Sequence, residues 1–270
     1  MRHGRGFTIA EMAIAVAILA LLLFAAMVPF STQVDVRNVA DTRRSMDSIR
    51  EALLGFAQAN GRLPCPALGT TATGAAGAGT EQLVGNACTA TFGVVPWATL
   101  GTPETDAWGR RFSYWVSPIF ADAVAANTFN SPGQFPSCTT PTPQPSQSSF
   151  ALCSLGILTV STRSEVTHST VTALGSNLPV VFISHGKNGG GAYLPNGVVV
   201  ATVGGADEIA NSTGNRPYVT TSTFISRPPT RAASGCNDTT IAGFCEFDDL
   251  VVMIPASTLI ARTVAAGKLP

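Results

Sequence analysis

The residue of this sequence that most needs a chemical explanation is Glu11, a carboxylate near the start of an apolar stretch. Residues 7–30 form the stretch, and Glu11 is its one charged residue. A carboxylate within a bilayer costs roughly 2.5–3.5 kcal/mol on insertion scales, so it requires a partner or a function. If the chain is cut after Gly6, the new α-amino group of Phe7, with a pKa of ~8, is positively charged near neutral pH. We expect Glu11 of one copy to neutralise the Phe7 amine of a neighbour as helices pack, because either charge left unpaired there is costly.

The apolar stretch has the length and the flanking residues of a membrane anchor. Arg2 and Arg5 precede it and should stay on the cytoplasmic side. Residues 12–30 carry no charge, and at ~1.5 Å per residue they span nearly 30 Å as a helix, about one bilayer core. A cleaved secretory signal peptide is the alternative. Its apolar core would be shorter, and a cut after Ala26 would leave bulky Phe24 where a small residue is required.

The N-terminal residues resemble the signature of type IV pilins and type II secretion pseudopilins. Residues 6–12 read Gly-Phe-Thr-Ile-Ala-Glu-Met after a basic leader, and the family has Gly, then Phe, then Thr-x-x-Glu, then a long apolar helix. Ala10 stands where the family usually has Leu. The resemblance implies a prepilin peptidase that cuts after Gly6 and methylates the amine of Phe7. It also implies an inner-membrane protein with a single pass and a periplasmic head, which joins other pilin subunits in an extracytoplasmic filament through a pilus or secretion assembly machinery.

A second helical pattern continues beyond the anchor. Asn60 and Gly61 are typical of a helix C-terminus, and Pro64 supports a stop there. Pro29, inside this helix, should kink it or locally melt it. Apolar residues recur at spacings of three, four and seven, which places them on one helix face: Val36, Val39, Met46, Ile49, Leu53 and Phe56.

Beyond the helix the pattern changes to short β-type runs separated by Gly, Pro, Ser and Thr. The runs are residues 112–116, 156–161, 180–184, 197–203, 218–225 and 250–254. Residues 70–79 and 136–149 are predicted to be loops, and 256–266 a closing helix. The predicted fold class is α+β, with a long N-terminal transmembrane and stalk helix packed on an antiparallel β-sheet head, as in pilins. Its parts are a leader (1–6), a transmembrane and filament-core helix (7–30), an amphipathic stalk helix (31–61) and a β-rich head (62–270).

Two stretches of the head also resemble pseudopilin turns. Residues 106–114 read Asp-Ala-Trp-Gly-Arg-Arg-Phe-Ser-Tyr and look like the Asp-Pro-Trp-Gly turn and strand, with Ala107 in place of the proline. Residues 184–189 read Ser-His-Gly-Lys-Asn-Gly and resemble the Ser-x-Gly-x-Asp-Gly turn, with Asn188 in place of the aspartate. Several major pseudopilins bind calcium in their heads, so the resemblance raises calcium as a cofactor.

The cysteines indicate an oxidising compartment. The sequence has no Cys-x-x-Cys pair and no histidine beside a cysteine, so it gives no sign of a zinc site at the cysteines. An even number of cysteines after the anchor favours disulfides. Pairing between sequence neighbours would give Cys65–Cys88, Cys138–Cys153 and Cys236–Cys245, which is one of several connectivities. Free buried thiols are the alternative, since cysteine also packs as a small hydrophobe. The six residues are Cys65, Cys88, Cys138, Cys153, Cys236 and Cys245.

Acidic residues in and beside the last cysteine pair are candidates for calcium. Calcium takes six to eight oxygen ligands, many of them carboxylates. The spacing is not that of an EF-hand, so a solvated acidic loop with no metal is the default prediction and calcium is the alternative. Asp207 and Glu208 form a second acidic pair. The candidates are Asp238, Glu246, Asp248 and Asp249.

The sequence lacks the motifs of an enzyme. His168 and His185 are the histidines of the head. Ser184 adjoins His185, but neighbours in a strand point to opposite faces. No Gly-x-Ser-x-Gly elbow and no His-Glu-x-x-His motif occurs. We therefore predict no catalytic residues.

Composition narrows the remaining functions. Lys plus Arg and Asp plus Glu number 16 each, and no basic patch is visible, which disfavours a nucleic-acid partner. The predicted function is a structural subunit of a type IV pilus-like filament, a minor one because the head is large. The alternatives are a type II secretion pseudopilin and a membrane-anchored adhesive or ligand-binding protein that does not polymerise.

Overall fold

The computed structural model describes residues 8–123, 147–201, 204–212, 222–231, 233–240 and 243–269, without the side chains of residues 23–32 and 222. Leader residues 1–6, Phe7 and Cys138 lie outside this part of the chain. The chain divides into two compact units, residues 1–41 and residues 42–270.

One long helix is followed by short strands and short helices. In chain order the elements are α1 (Ile9–Asn60), β1 (Leu83–Val84), β2 (Ala87–Cys88), β3 (Phe92–Val94), α2 (Trp97–Leu100), β4 (Ser113–Val116), α3 (Pro118–Ala121), β5 (Leu158–Arg163), β6 (Val171–Leu178), β7 (Val180–Ser184), α4 (Ala206–Asn211), β8 (Ser222–Ile225), β9 (Leu250–Ile254) and α5 (Ala256–Ala265).

The first unit, in its described part, consists of the N-terminal portion of α1. Side chains of residues 8–22 are exposed, and Ile9 is 91 % exposed. Arg37 and Asp41, one helical turn apart, form an exposed ion pair at 3.7 Å. Among the described residues, none of the helices combines the length and the apolar character that crossing a membrane requires.

The C-terminal portion of α1 belongs to the second unit and contributes to its core. Met46, Ile49 and Leu53 are buried, as their spacing predicts. Phe56, which was expected in the same stripe, is only half-buried. The buried face of the helix at this level consists of Leu53, Leu54 and Ala57 instead. The predicted stop is confirmed, since α1 ends at Asn60.

Gly61 makes this helix end possible. Its φ of 68° lies in the left-handed region that glycine adopts without strain. Its backbone N–H donates to the carbonyl of Ala57 at 2.8 Å, which satisfies one of the carbonyls left free at a helix C-terminus.

A four-stranded sheet in the order β3-β4-β7-β9 forms the centre of the second unit. Every pairing in it is antiparallel, with Ser113 opposite Ile183 and Val180 opposite Ile254. All five residues of β7 are buried. A continuous apolar run of this kind is typical of a strand that is covered on both faces.

The part of α1 that belongs to the second unit, from Thr42 onward, and helix α5 cover one face of this sheet. Tyr114 and Phe182 point from β4 and β7 into a core that also contains Leu53 of α1 and Leu259 of α5. Since side chains alternate along a strand, the neighbouring residues of β4 and β7 point to the opposite face.

A second sheet, in the order β6-β5-β8, covers that opposite face. Trp115 and Val181 of the first sheet pack against Val160 of β5 and Phe224 of β8. The rings of Trp115 and Phe224 meet edge to face, with centroids 4.8 Å apart, a favourable aromatic geometry. The second unit is therefore layered as helices, sheet and sheet.

The prediction of an α+β fold with antiparallel strands is confirmed in the first sheet. It is wrong for one pair of strands in the second sheet. Strands β5 and β8 pair in parallel, with Leu158 opposite Ser222. The connection between them passes through β6, β7 and α4, and a long crossover of this kind permits parallel pairing.

Most predicted strands are present. Residues 180–184 and 250–254 match β7 and β9, runs 112–116 and 156–161 match β4 and β5 with shifted ends, and 256–266 matches α5. Run 218–225 matches β8 where it is described. Run 197–203 was wrong in its described part, because Val199 makes only an isolated bridge with Tyr193. Strand β6 was not predicted. Loop 70–79 contains no strand or helix, and most of loop 136–149 lies outside the described residues.

Candidate functional site

The N-terminus of α1 is closed by a reciprocal pair of contacts between Thr8 and Glu11. The carboxylate oxygen Oε2 of Glu11 accepts hydrogen bonds from the backbone N–H of Thr8 at 2.8 Å and from its hydroxyl at 2.9 Å. The hydroxyl oxygen of Thr8 accepts from the backbone N–H of Glu11 at 3.3 Å. This is a capping box, in which two otherwise free donors of a helix start are satisfied.

The cap gives Glu11 a partner within its own chain. Its carboxylate also lies at the positive end of the helix dipole, where negative charge is stabilised. Both residues are exposed, so a cation can replace Thr8 as the partner of the Glu11 carboxylate without opening a core. Gly6 and Phe7, the predicted processing residues, lie outside the described part of the chain.

The two pseudopilin-like turns of the head lie against each other. Asp106 Oδ1 accepts hydrogen bonds from the backbone N–H groups of Trp108 at 2.9 Å and Arg110 at 3.0 Å, which folds the first turn. Asp106 Oδ2 accepts from the hydroxyl of Ser184 in the second turn at 2.6 Å. Burial raises the pKa of Asp106 above its ordinary value of 3.8, although the hydrogen bond from Ser184 acts in the opposite direction.

Three carboxylates meet beyond the second turn. Glu208 in the first turn of α4 and Asp248 and Asp249 just before β9 each bring one oxygen within 4.8 Å of the others. The backbone N–H groups of Lys187 and Asn188 donate to Asp248 Oδ2 at 2.8 and 3.0 Å. The turn that supplies these donors is therefore folded onto the carboxylate.

Gly186 permits this close approach. Its φ of 54° is in the left-handed region, and a Cβ on it would lie 2.6 Å from Cγ of Asp248. Any side chain at this position would push the turn away from the carboxylates.

Burial and mutual repulsion govern the protonation of the acidic cluster. Burial first, and then the negative charge of Asp249, raise the pKa of Glu208 to about 8. Burial also raises the pKa of Asp248, and the charges of Asp249 and Glu246 act in the same direction. Both carboxyls therefore bind protons more tightly than they do in water.

A buried serine, histidine and aspartate adjoin the cluster. Ser113 Oγ lies 2.8 Å from His185 Nε2, and His185 Nδ1 lies 3.5 Å from Asp249 Oδ1. Ser113 and His185 are fully buried and Asp249 is 5 % exposed, so Ser113 is not open to a substrate in this conformation. The sequence pointed to Ser184 as the serine neighbour of His185, whereas Ser184 bonds to Asp106 instead.

The four sequence-predicted calcium candidates do not come together as one set. Asp238 accepts hydrogen bonds from Arg227 at 3.0 Å and from the backbone of Cys245 at 2.9 Å, in a separate network. Glu246 is exposed. Asp248 and Asp249 are joined instead by Glu208.

This donor set does not fit calcium closely. Both oxygens of Glu208 already accept from the side-chain amide of Asn188, at 2.9 and 3.0 Å. Asp248 Oδ2 already accepts two backbone N–H groups. These hydrogen bonds do not prevent the carboxylates from binding an ion, but three carboxylates that each offer one oxygen fall short of the six to eight oxygens that calcium takes.

A second polar network lies in the head beside the last disulfide. Arg227 donates to Asp207 at 2.8 Å and to Asp238 at 3.0 Å. Its guanidinium also lies 4.3 Å from the ring centroid of Phe244 and 4.5 Å from that of Phe247, within the range of a cation–π interaction. The arginine thus connects α4 to the loop of residues 236–245.

The disulfide prediction is confirmed for two pairs. Cys65 bonds Cys88, and Cys236 bonds Cys245. Cys153 is also disulfide-bonded, while Cys138, its predicted partner, lies outside the described residues. No cysteine of the described part is a free thiol.

Comparison with known proteins finds one match, which covers the N-terminal residues. Residues 1–27 match the prokaryotic N-terminal methylation motif, the signature of type IV pilins and pseudopilins. The motif confirms the resemblance seen around Gly6, Phe7 and Glu11 and supports a pilin-like or pseudopilin subunit. No curated protein and no solved structure matches the chain.

Proposed function

We propose that this protein is a structural subunit, and a minor one, of a type IV pilus-like filament. The observation that carries the proposal is the methylation motif over residues 1–27, with Glu11 inside its apolar stretch. In this proposal prepilin peptidase cuts after Gly6 and the amine of Phe7 becomes the mature N-terminus. The chain has no catalytic role.

In this proposal the subunit resides in the inner membrane before it is assembled. Residues 12–30 carry no charge and serve as a single-pass anchor, with the head in the periplasm. During assembly the apolar helix leaves the lipid and packs in the filament core. There Glu11 exchanges its contacts with Thr8 for the charged amine of a neighbour's Phe7, because a lone carboxylate in an apolar core is costly.

The head supports an extracytoplasmic role. Its disulfides at Cys65–Cys88 and Cys236–Cys245 are typical of secreted domains. Residues 62–270 are a large head for an abundant subunit, which favours a minor component whose exposed loops select a partner or surface.

A type II secretion pseudopilin is the second candidate. The contact between Asp106 and Ser184 favours it, because it joins the two turns that resemble those of pseudopilin heads. Deleting the gene separates the two candidates. Loss of surface filaments with normal protein secretion supports the pilus subunit, and loss of secretion with normal filaments supports the pseudopilin.

The mature N-terminus is the first test of processing. Mass spectrometry of the chain purified from membranes should find N-methylated Phe7 as the first residue. A chain that starts at Met1 would be an ordinary anchored protein, and a start near Ser31 would indicate a secreted one. Either result would contradict the filament proposal.

The second test separates assembly from anchoring. Glu11→Ala should abolish incorporation into sheared filaments while leaving the amount of membrane-bound chain unchanged. Glu165→Ala, which removes an exposed carboxylate of the head, is the matched control and should assemble normally. Normal assembly of Glu11→Ala would favour the anchored adhesive or ligand-binding protein.

A further inference from the structure

Two buried polar atoms beside the acidic cluster lack hydrogen-bond partners. They are Oδ1 of Asp248 and Nδ1 of His185, and neither makes a hydrogen bond within the described part of the chain. Burying a polar atom without a hydrogen-bond partner destabilises the folded state, so each such atom requires an explanation. Asp248 is one of the three carboxylates whose oxygens lie within 4.8 Å of one another, and His185 adjoins another of them, Asp249; this position indicates a shared ligand.

The spacing of His185 and Asp249 matches two ligands of one small ion. Nδ1 of His185 lies 3.5 Å from Oδ1 of Asp249, whereas a charge-assisted hydrogen bond would be about 2.7–2.9 Å. Two atoms bound at about 2.1 Å to one tetrahedral ion lie about 3.4 Å apart. The oxygens of Glu208, Asp248 and Asp249 lie within 4.8 Å of one another, so only small side-chain shifts would bring them onto the same ion.

The charge balance of the cluster also calls for a cation. Three carboxylates are packed together, and Glu208 and Asp249 are at most 5 % exposed. The nearby guanidinium of Arg110 donates to the carbonyl of Gly186 rather than to a carboxylate.

We propose that His185, Glu208, Asp248 and Asp249 bind a divalent transition-metal ion of the zinc class. An imidazole nitrogen suits zinc and its neighbours in the transition series, whereas calcium prefers a shell made only of oxygens. One imidazole nitrogen and three carboxylate oxygens are ligand types that zinc takes, and they supply the four positions of a tetrahedral site.

Neighbouring side chains hold the four ligands in place. Ser113 Oγ lies 2.8 Å from Nε2 of His185. When Nε2–H donates to it, Nδ1 keeps a lone pair for the metal. The side-chain amides of Asn188 and Asn211 donate to Glu208 and Asp249. Hydrogen bonds of this kind around metal ligands fix their orientation.

The ion would join three segments of the head. His185 follows β7, Glu208 lies in α4, and Asp248 and Asp249 precede β9. Because the site exists only in the folded head, ion binding would raise the stability of the folded state. The role is structural and independent of filament assembly.

A direct titration tests the ion and its class. The full-length chain, without a polyhistidine tag, is stripped with chelator in detergent and titrated separately with Zn²⁺, Ca²⁺ and Mg²⁺ by calorimetry. We expect one Zn²⁺ per chain, bound at least ~100-fold more tightly than Ca²⁺, with a rise in the melting temperature. A folded chain that binds no Zn²⁺, or that binds Ca²⁺ equally well, overturns the proposal.

Substitutions test the location of the ion. Asp248→Asn and His185→Gln should each weaken Zn²⁺ binding, and His185→Gln should also change the visible spectrum of the Co²⁺-loaded chain. Glu246→Gln and His168→Asn are matched controls outside the site and should bind as the native chain does. Melting in chelator checks folding, and Asp248→Asn keeps the test valid if the buried His185 variant unfolds. Binding that survives both substitutions overturns the assignment.

Discussion

The carboxylate of Asp106 accepts a hydrogen bond from the hydroxyl of Ser184 across 2.6 Å inside the head. The two residues belong to turns that are separated by 78 positions in the chain. The same carboxylate also accepts the backbone N–H groups of Trp108 and Arg110. One buried aspartate therefore folds its own turn and fixes that turn against the end of β7.

The protonation of Asp106 should make the stability of the head depend on pH. Its pKa is raised above 3.8, mainly by burial, so the folded state binds the proton more tightly than the unfolded state does. The resulting stabilisation is fully present below about pH 4 and is lost as the pH rises through the folded-state pKa. Asp106→Asn cannot titrate and keeps an acceptor oxygen for the turn.

The measurement is thermal unfolding of both proteins at a series of pH values. The melting temperature of the native chain, relative to that of Asp106→Asn, should fall as the pH rises from about 3 to about 7. Glu165→Gln changes an exposed carboxylate and should show no such trend. A difference that stays constant with pH would mean that Asp106 titrates normally.

Arg227 should be among the most costly residues of the head to replace. Its side chain is 1 % exposed and pairs with Asp207 and Asp238. Arg227→Met removes the arginine that pairs with buried Asp238, while Asp207 keeps its pair with Arg163. Breaking a buried pair in this way costs about 3–5 kcal/mol, to be measured by denaturant unfolding. Arg231→Met, at an exposed position, should stay within about 0.5 kcal/mol of the native chain. A similarly small loss for Arg227→Met would show that water replaces the pair.

The features that were predicted from sequence are those that local pattern determines. Glu11 stands out because its neighbours are apolar, and the stop at Asn60 follows from the glycine and proline beyond it. Strands β7 and β9 are apolar runs between turn residues. Strand β6 was missed because its residues, from Val171 to Asn177, are almost all exposed, so neither alternation nor a continuous apolar run marks it.

The polar clusters could not be predicted because tertiary folding assembles them. Ser113 and His185 are 72 positions apart and meet only because β4 and β7 pair. Glu208 was noted as acidic, but nothing local links it to Asp248, which lies 40 positions away. The sequence placed Asp238 with Asp248 for their proximity along the chain, whereas Arg227 draws Asp238 into a different network.

The two described disulfides should contribute similar amounts to the stability of the head. Cys65–Cys88 spans 23 positions and Cys236–Cys245 spans 9. Loop-closure entropy then predicts losses of about 3.4 and about 2.6 kcal/mol when each pair is replaced by serines. Denaturant unfolding of the two double variants measures both values. A loss far below about 2 kcal/mol would indicate that the unfolded chain without the bridge remains compact there.

Replacing Thr8 tests whether the capping box holds Glu11 before assembly. Thr8→Val keeps the shape of the side chain but removes the hydroxyl that donates to Glu11 Oε2 and accepts from its backbone N–H. Loss of an N-cap costs about 0.5–2 kcal/mol, so amide exchange over the first turn of α1 should speed up about fivefold for a cost of ~1 kcal/mol. Hydrogen exchange of the full-length chain in detergent micelles measures this rate. Thr8→Ser retains the hydroxyl and should exchange as the native chain does. Equal exchange in the valine and serine variants would mean that the hydroxyl does not stabilise the helix start, and that Glu11 is free to meet a neighbour's amine from the outset.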